Sequence, residues 1–346
     1  MIDTSRKVKE VFCALPIVLL AFASFACSQQ DSWRHYVGGG NYSCNSGSMS
    51  PCGSYLVFGS PKSGRGDIWR LRLEDSTLLN MTQTEAFESD PRYSPDGESI
   101  FYHYELDGNR HIWKTDKDGQ RHEQLTSGQA IDTLINISPD GDRLVMMRAF
   151  YTGGLGLAAG PAMIYSISNK KFIEEDVGSS GRFLDNHTLL YSTRPSADDR
   201  TVRFGKYDME TRQRHVFGDG FIVSLSSDRK VVLISRDPNR SFLDRELIVF
   251  DLDEQSEKRI GMGRYPCFLG DSKVFFVQSS PRKAYIYSLE SGTTQEFDLP
   301  GAIIAAPVAA PGDRGILLRL TSPDDADRSG NIYLFNDARS IKKLTQ

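Results

Sequence analysis

The chain predicts an all-β fold, a seven-bladed β-propeller of four-stranded antiparallel blades. A turn-plus-strand segment recurs seven times along 346 residues, and four strand-like stretches fill each interval. No long amphipathic helical pattern interrupts the series. The recurring segments are SPCGSYLVF from Ser50, SPDGESIFY from Ser94, SPDGDRLVM from Ser138, FLDNHTLLY from Phe183, SSDRKVVLI from Ser226, FLGDSKVFF from Phe268 and APGDRGILL from Ala310. Their starts lie 44, 44, 45, 43, 42 and 42 residues apart, the period of a propeller blade.

Each element has a local cause. The opening turn uses Pro to preset φ and Gly to supply φ > 0. A β-branched and aromatic stretch follows, as at 99–102 or 230–235, and predicts a buried strand. After a polar loop comes an alternating strand: DIWRLRL from Asp67, HIWKTD from His111, MIYSIS from Met163, LIVFDL from Leu247, YIYSLE from Tyr285 and NIYLFN from Asn331. A hairpin leads to a further strand that often ends in Leu-Thr or similar, as at Met81-Thr82, Leu125-Thr126 and Leu344-Thr345. One more strand, such as 132–137, precedes the next turn.

These repeats resemble the TolB-like, WD-type propeller repeat family, whose hallmark is a Ser-Pro-Asp-Gly turn before a strand. The resemblance covers about residues 41–346; it is sharpest in the second and third units and degenerate in the last four. The GH…WD signature of true WD repeats and the paired Gly of kelch repeats are absent. The family resemblance implies a closed ring. TolB itself has six blades behind an α/β domain, and the ~15 residues between Cys27 and the first repeat leave no room for one. TolB's own role is therefore not carried over.

The N-terminus predicts export. Arg6, Lys7 and Lys9 precede an apolar run from Val11 to Ala26, shorter than the ~20 residues of a spanning helix. Ser24 and Ala26 place small side chains where a signal peptidase needs them. The segment also resembles a bacterial lipoprotein signal with Cys27 as the lipidated residue, although Ser24 stands where an aliphatic side chain is usual. The expected organisation is a signal peptide over 1–26, a short linker over 27–40 and the propeller over 41–346. The expected location is the periplasm or the outer membrane, held by a lipid anchor only, or otherwise the medium. Cys44 and Cys52 form either a disulfide of an oxidising compartment or two unpaired thiols. Cys267 lies in an apolar strand pattern, as inert core.

Composition narrows function. Lys plus Arg is 41 against 45 for Asp plus Glu, a net charge of −4, and no basic groove with interleaved aromatics occurs. Nucleic acid is therefore not an expected partner. The chain has no G-x-S-x-G, H-E-x-x-H or C-x-x-C motif, and its six histidines read as scattered outer-strand and turn residues. No catalytic residue, metal site or cofactor is assigned. Asp116, Asp118 and Gly119 read as a hairpin turn rather than a calcium loop.

Strand alternation singles out Glu88, Asp90, Arg92, Asp132, Asn136 and Arg264 as polar side chains of innermost strands near a channel mouth. They form either ion pairs that fill the channel or a binding site. The uncharged, Gly-rich stretch from Phe150 to Ala162 is a lid or an ordinary insertion. Two functional expectations follow. One is a non-catalytic exported scaffold whose propeller face binds another protein of the cell envelope. The other is a binder or a lyase- or hydrolase-type enzyme acting on a small molecule or glycan at the channel mouth, with Glu88 and Asp132 as paired carboxylates. The fold hosts both.

Overall fold

The computed structural model describes residues 47–60, 66–151, 157–174, 176–196, 198–237, 244–278, 283–299, 301–303, 308–309, 315–321, 331–335 and 341–343. The signal segment, Cys27, Cys44 and residues 152–156 of the Gly-rich stretch lie outside them. Among the described residues regular structure is all strand, in seven successive antiparallel units. Unit 1 is Gly47–Met49, Tyr55–Ser60, Asp67–Arg72 and Leu78–Asn80. Unit 2 is Phe87–Tyr93, Ser99–Leu106, Asn109–Asp116 and His122–Gln124. Unit 3 is Ile131–Ile137, Arg143–Tyr151, Leu157–Ser166 and Lys171–Glu174. Unit 4 is Ser180–Phe183, Thr188–Ser192, Arg203–Asp208 and Arg214–Asp219. Unit 5 is Phe221–Leu225, Val231–Arg236, Arg245–Asp251 and the first part of Ser256–Leu269, whose second part opens unit 6 with Lys273–Gln278, Lys283–Ser288 and Thr294–Asp298. Unit 7 contains Ala302–Ile303, Val308–Ala309, Ile316–Thr321, Asn331–Phe335 and Ile341–Lys343.

The recurring turn is held by its serine and aspartate. Ser94 Oγ accepts the Ser99 N–H at 2.9 Å and donates to Asp96 Oδ1 at 2.5 Å, and Asp96 accepts the Glu98 N–H at 3.0 Å. Gly97 takes φ +77° to close the turn onto the Ser94 carbonyl. Ser138 with Asp140 repeats the arrangement. Ser226 with Asp228 does so in unit 5, where Pro and Gly are gone and Arg229 takes φ +62°. In both Asp96 and Asp228 the serine hydroxyl holds the carboxyl below its ordinary range. In unit 4 Phe183 replaces the serine, and Asp185 alone accepts the N–H groups of His187 and Thr188, at 2.7 and 2.6 Å.

Seven apolar clusters fill the seams between units. Val57, Ile68 and Met81 meet Tyr93, Ile100 and Tyr102 between units 1 and 2. Phe101, Ile112 and Leu125 meet Leu134, Leu144 and Met146 in the next seam. Equivalent clusters join units 3 and 4, 4 and 5, 5 and 6, and 6 and 7. The seventh sets Leu334 of unit 7 against Met49, Leu56, Phe58 and Leu71 of unit 1, so packing returns to its start. The fold is thus a β-propeller in which each sheet covers its faces with its neighbours.

The first strands of the units are innermost. Gly47–Met49 touches both Phe87–Tyr93 and Val308–Ala309. Ser180–Phe183 touches Ile131–Ile137 and Phe221–Leu225, and Phe221–Leu225 touches the strand ending at Leu269. Several of these strands bulge. Ile135 and Val223 are extra residues in their ladders, and the pairs Asp90-Pro91 and Tyr265-Pro266 each stand opposite a single residue, Tyr102 and Phe276. A bulge frees backbone groups, and Arg182 takes two of them. Its guanidinium donates to the carbonyls of Ile135 in unit 3 and Val223 in unit 5, both at 3.2 Å. One side chain of unit 4 thereby ties three innermost strands together.

Replacing Arg182 by Met keeps the apolar stem and removes the donors. The buried carbonyls then lose their partners, and urea unfolding is expected to show a loss of about 2–4 kcal/mol at unchanged m. A midpoint equal to that of the unmodified protein would show that water replaces the guanidinium.

Candidate functional site at the inner seams

The polar residues singled out in the sequence lie on innermost strands and are distributed over several seams. Glu88 belongs to the seam between units 1 and 2. It is 1% exposed, and Thr84 Oγ1 donates to its Oε1, while Thr82 Oγ1 donates to its Oε2 at 3.4 Å. The buried carboxylate of Asp67 stands beside it, accepting from Asn80 Nδ2 at 2.7 Å. Burial pushes the Glu88 carboxyl up to about 7; the Thr84 hydrogen bond opposes this, and the charge of Asp67 adds to it. Glu88 is therefore half-protonated near neutrality and can donate to Asp67.

Asp90 turns elsewhere. The bulge gives it φ +50°, which aims its carboxylate at His103, with Oδ2 3.1 Å from Nδ1. His103 is 1% exposed, and its Nε2 accepts the N–H of Leu134 in unit 3 at 2.9 Å. That bond fixes the tautomer: Nδ1 carries the proton and donates to Asp90. Burial lowers the imidazole pKa, against the pull of Asp90, and the ring stays neutral. Both nitrogens are engaged, so this pair has no free site for proton exchange with a substrate.

Asp132 lies in the next seam and is fully buried. Arg148 grips it with Nε and Nη2 at 2.7 and 2.8 Å, and His111 Nδ1 lies 3.5 Å from its Oδ2. Arg148 also stacks 4.8 Å from the Phe172 ring. Asn136 Oδ1 accepts the Phe183 N–H of unit 4 at 2.9 Å, just as Ser48 Oγ accepts the Tyr93 N–H of unit 2 at 3.2 Å. Arg92 is partly buried beside Pro91, and the Arg264 guanidinium lies 5.3 Å from the Tyr265 ring. Glu88 and Asp132, paired in the sequence reading as acid and base, occupy different seams; the carboxylate beside Glu88 is Asp67.

Two seams share one plan. Thr82 Oγ1 accepts the Ile68 N–H at 2.9 Å, and Thr126 Oγ1 accepts the Ile112 N–H at 3.0 Å. The residue before each isoleucine, Asp67 or His111, faces the acid of the next innermost strand, Glu88 or Asp132. The Leu-Thr ending was visible as a repeat, but its partner was not. His103 was also misplaced by sequence: it is neither an outer-strand nor a turn residue, and its neighbours come from 13 and 31 positions away. Among the described residues no group of three or more His, Cys, Asp or Glu side chains is placed to hold a metal. Cys52 is exposed, with its Sγ 3.3 Å from Ser50 Oγ; its proposed partner Cys44 lies outside the described residues. Cys267 is partly buried, and burial pushes its thiol up to about 12, as befits an inert core thiol.

Comparison with known proteins places this architecture. Residues 28–154 match the TolB beta propeller domain family. The family match covers the first part of the chain, and the fold of the whole is that of a TolB-like β-propeller. An uncharacterized protein of Agrobacterium fabrum (strain C58) is 29% identical over 112 residues, and the match spans 29% of this chain and only 38% of that relative. Among solved structures, the β-propeller domain of the trilobed protease from Pyrococcus furiosus superposes with a TM-score of 0.63 at 15% identity, covering 89% of this chain and 97% of that one. An oligogalacturonate lyase in complex with manganese gives 0.60 at 13% identity, covering 79% and 84%. These likenesses show the fold.

The raised Glu88 pKa sets a pH slope. The folded chain holds a proton that the unfolded chain, with a value near 4.5, has lost. Stability from this group is complete below about 4.5 and falls as pH rises to about 7, by about 3 kcal/mol in all. Glu88→Gln keeps a neutral side chain at every pH. Urea midpoints are expected to diverge from wild type across this window, the variant being the more stable above pH 7. Parallel curves would place the carboxyl at its ordinary value.

Proposed function

We propose that the chain is an exported, envelope-anchored propeller that acts as a non-catalytic protein-interaction scaffold. One observation carries the reading. The polar side chains best placed for chemistry are used in structural bonds: Asp90 holds His103, which accepts from Leu134 of the next unit, Asp132 is gripped by Arg148 of its own unit and faced by His111 of the preceding one, and Asn136 accepts from Phe183 of the next. A ring stiffened in this way is a rigid support for the loops on its rim. The TolB family match is consistent with a role at the envelope among protein partners, and Cys27 is the residue that a lipid would anchor. No cofactor enters the proposal.

Two measurements test it. Radiolabelled palmitate is expected to enter the full chain expressed in a bacterial host and to be lost in Cys27→Ser; label retained in the variant would move the anchor elsewhere. Cross-linking of the anchored chain in native membranes is expected to capture a protein at near-stoichiometric yield. Substituting Arg194 and Arg200, exposed residues of the loop between Thr188–Ser192 and Arg203–Asp208, by Ala is expected to reduce that yield. Turnover of a substrate by the purified chain, with no protein captured, would overturn the scaffold reading.

A further inference from the structure

One bond between units is made by two different side chains. In unit 4, Ser192 Oγ accepts the N–H of Ile222 in unit 5 at 3.0 Å. In unit 2, His103 Nε2 accepts the N–H of Leu134 in unit 3 at 2.9 Å. The positions correspond. Ser192 and His103 each lie nine residues after the start of their recurring segments, and Ile222 and Leu134 each lie four residues before the start of the next. All four residues are buried, and both amides belong to innermost strands whose side chains join the apolar seams. The fold therefore needs an acceptor at this point, and a serine hydroxyl suffices. A hydroxyl accepts at any ordinary pH, whereas an imidazole nitrogen accepts only while it carries no proton.

The Nδ1 hydrogen of His103 is committed to Asp90 Oδ2 at 3.1 Å, so a second proton goes to Nε2, facing the Leu134 N–H. Two donors then oppose each other and the bond between the units is lost. Burial disfavours the imidazolium most. Asp90 favours it, and the charges of Arg110 on the adjoining strand and Arg92 on the strand of Asp90 oppose it. Arg110 is itself paired with Glu105. On the unit 3 strand that carries Leu134, Asp132 is gripped by Arg148 and faced by His111. The closed seam thus resists the proton. An opened seam gives the ring to water, where it takes a proton at the ordinary histidine value of 6.5. Stability from this group is present above that value and is lost as pH falls below it.

We propose that His103 is an acid-operated latch between units 2 and 3: a proton taken at Nε2 releases the Leu134 amide and frees the inner edge of that seam, while the apolar clusters keep the ring folded. The corresponding seam between units 4 and 5, latched by Ser192, stays shut under the same conditions. Unit 2 is then held on its two sides by opposite protonation states. Glu88, in the seam with unit 1, needs its proton, and His103, in the seam with unit 3, must lack one. This goes beyond the scaffold role and does not depend on it.

The test is amide hydrogen exchange on the full chain, read residue by residue from about pH 7.5 to about pH 5 and corrected for intrinsic exchange. The quantity read is the opening equilibrium at Leu134 relative to that at Ile222, which cancels any loss of global stability. It is expected to rise by up to about tenfold per pH unit below about 6.5, one proton being taken up per opening. His103→Gln supplies a carbonyl acceptor that does not titrate, and is expected to abolish the rise. A ratio that stays constant with pH in the unmodified protein overturns the latch, and that comparison does not require the variant to fold. A rise that persists unchanged in His103→Gln overturns it too, because another group would then be responsible.

Discussion

The structure depends on one constraint: a single four-stranded sheet has two faces to cover and no partner of its own. Each unit must therefore be sandwiched between its neighbours, and the cores lie between sheets rather than within them. Leu334 against Met49 and Leu56 is the contact that carries this packing from the last unit back to the first. The ring closes by the same apolar seam used everywhere else. Blade sequences can then diverge widely, provided that each seam keeps its apolar residues on both sides.

The same constraint decides what innermost strands can offer. Their side chains alternate toward one neighbour and the other, and their edge, not a face, turns to the axis. Tyr93 packs back into the seam with unit 1, while the Asn136 carbonyl reaches forward to the backbone of unit 4. Polar residues on these strands consequently meet backbone N–H and C=O groups of the next unit and satisfy them. Asp90 with His103 and Arg182 with two carbonyls are variants of one solution to the mismatch that bulges create. Buried ionic groups of this kind add uncertain net stability but strongly penalise the loss of either partner.

Much of this architecture was legible in sequence because it rests on local chemistry. The Ser94, Ser138 and Ser226 turns reuse the same serine–aspartate bonds, and in unit 5 the motif survives the loss of both Pro and Gly. The inner-strand identity of Glu88, Asp90, Asp132 and Asn136 followed from the period and from strand alternation. Their partners did not. Leu134 comes to His103 from 31 residues away and His111 to Asp132 from 21, and only the packing of one unit on the next creates those contacts. The reading of Glu88 and Asp132 as a pair failed for the same reason: residues at one level of consecutive repeats are separated by a sheet.

Repetition also makes departures informative. Where units 1 and 2 set two carboxylates face to face, the next seam sets a histidine against a carboxylate and adds Arg148. The first arrangement needs a proton to be stable, and the second brings its own cation. Asp90 and Tyr265 differ in the same manner, as one backbone device with two payloads, one buried and the other exposed. In a repeat protein the structural role of a position can be measured against its equivalents. A residue that keeps the strain of the position but none of its structural return is where selection for something other than folding becomes visible.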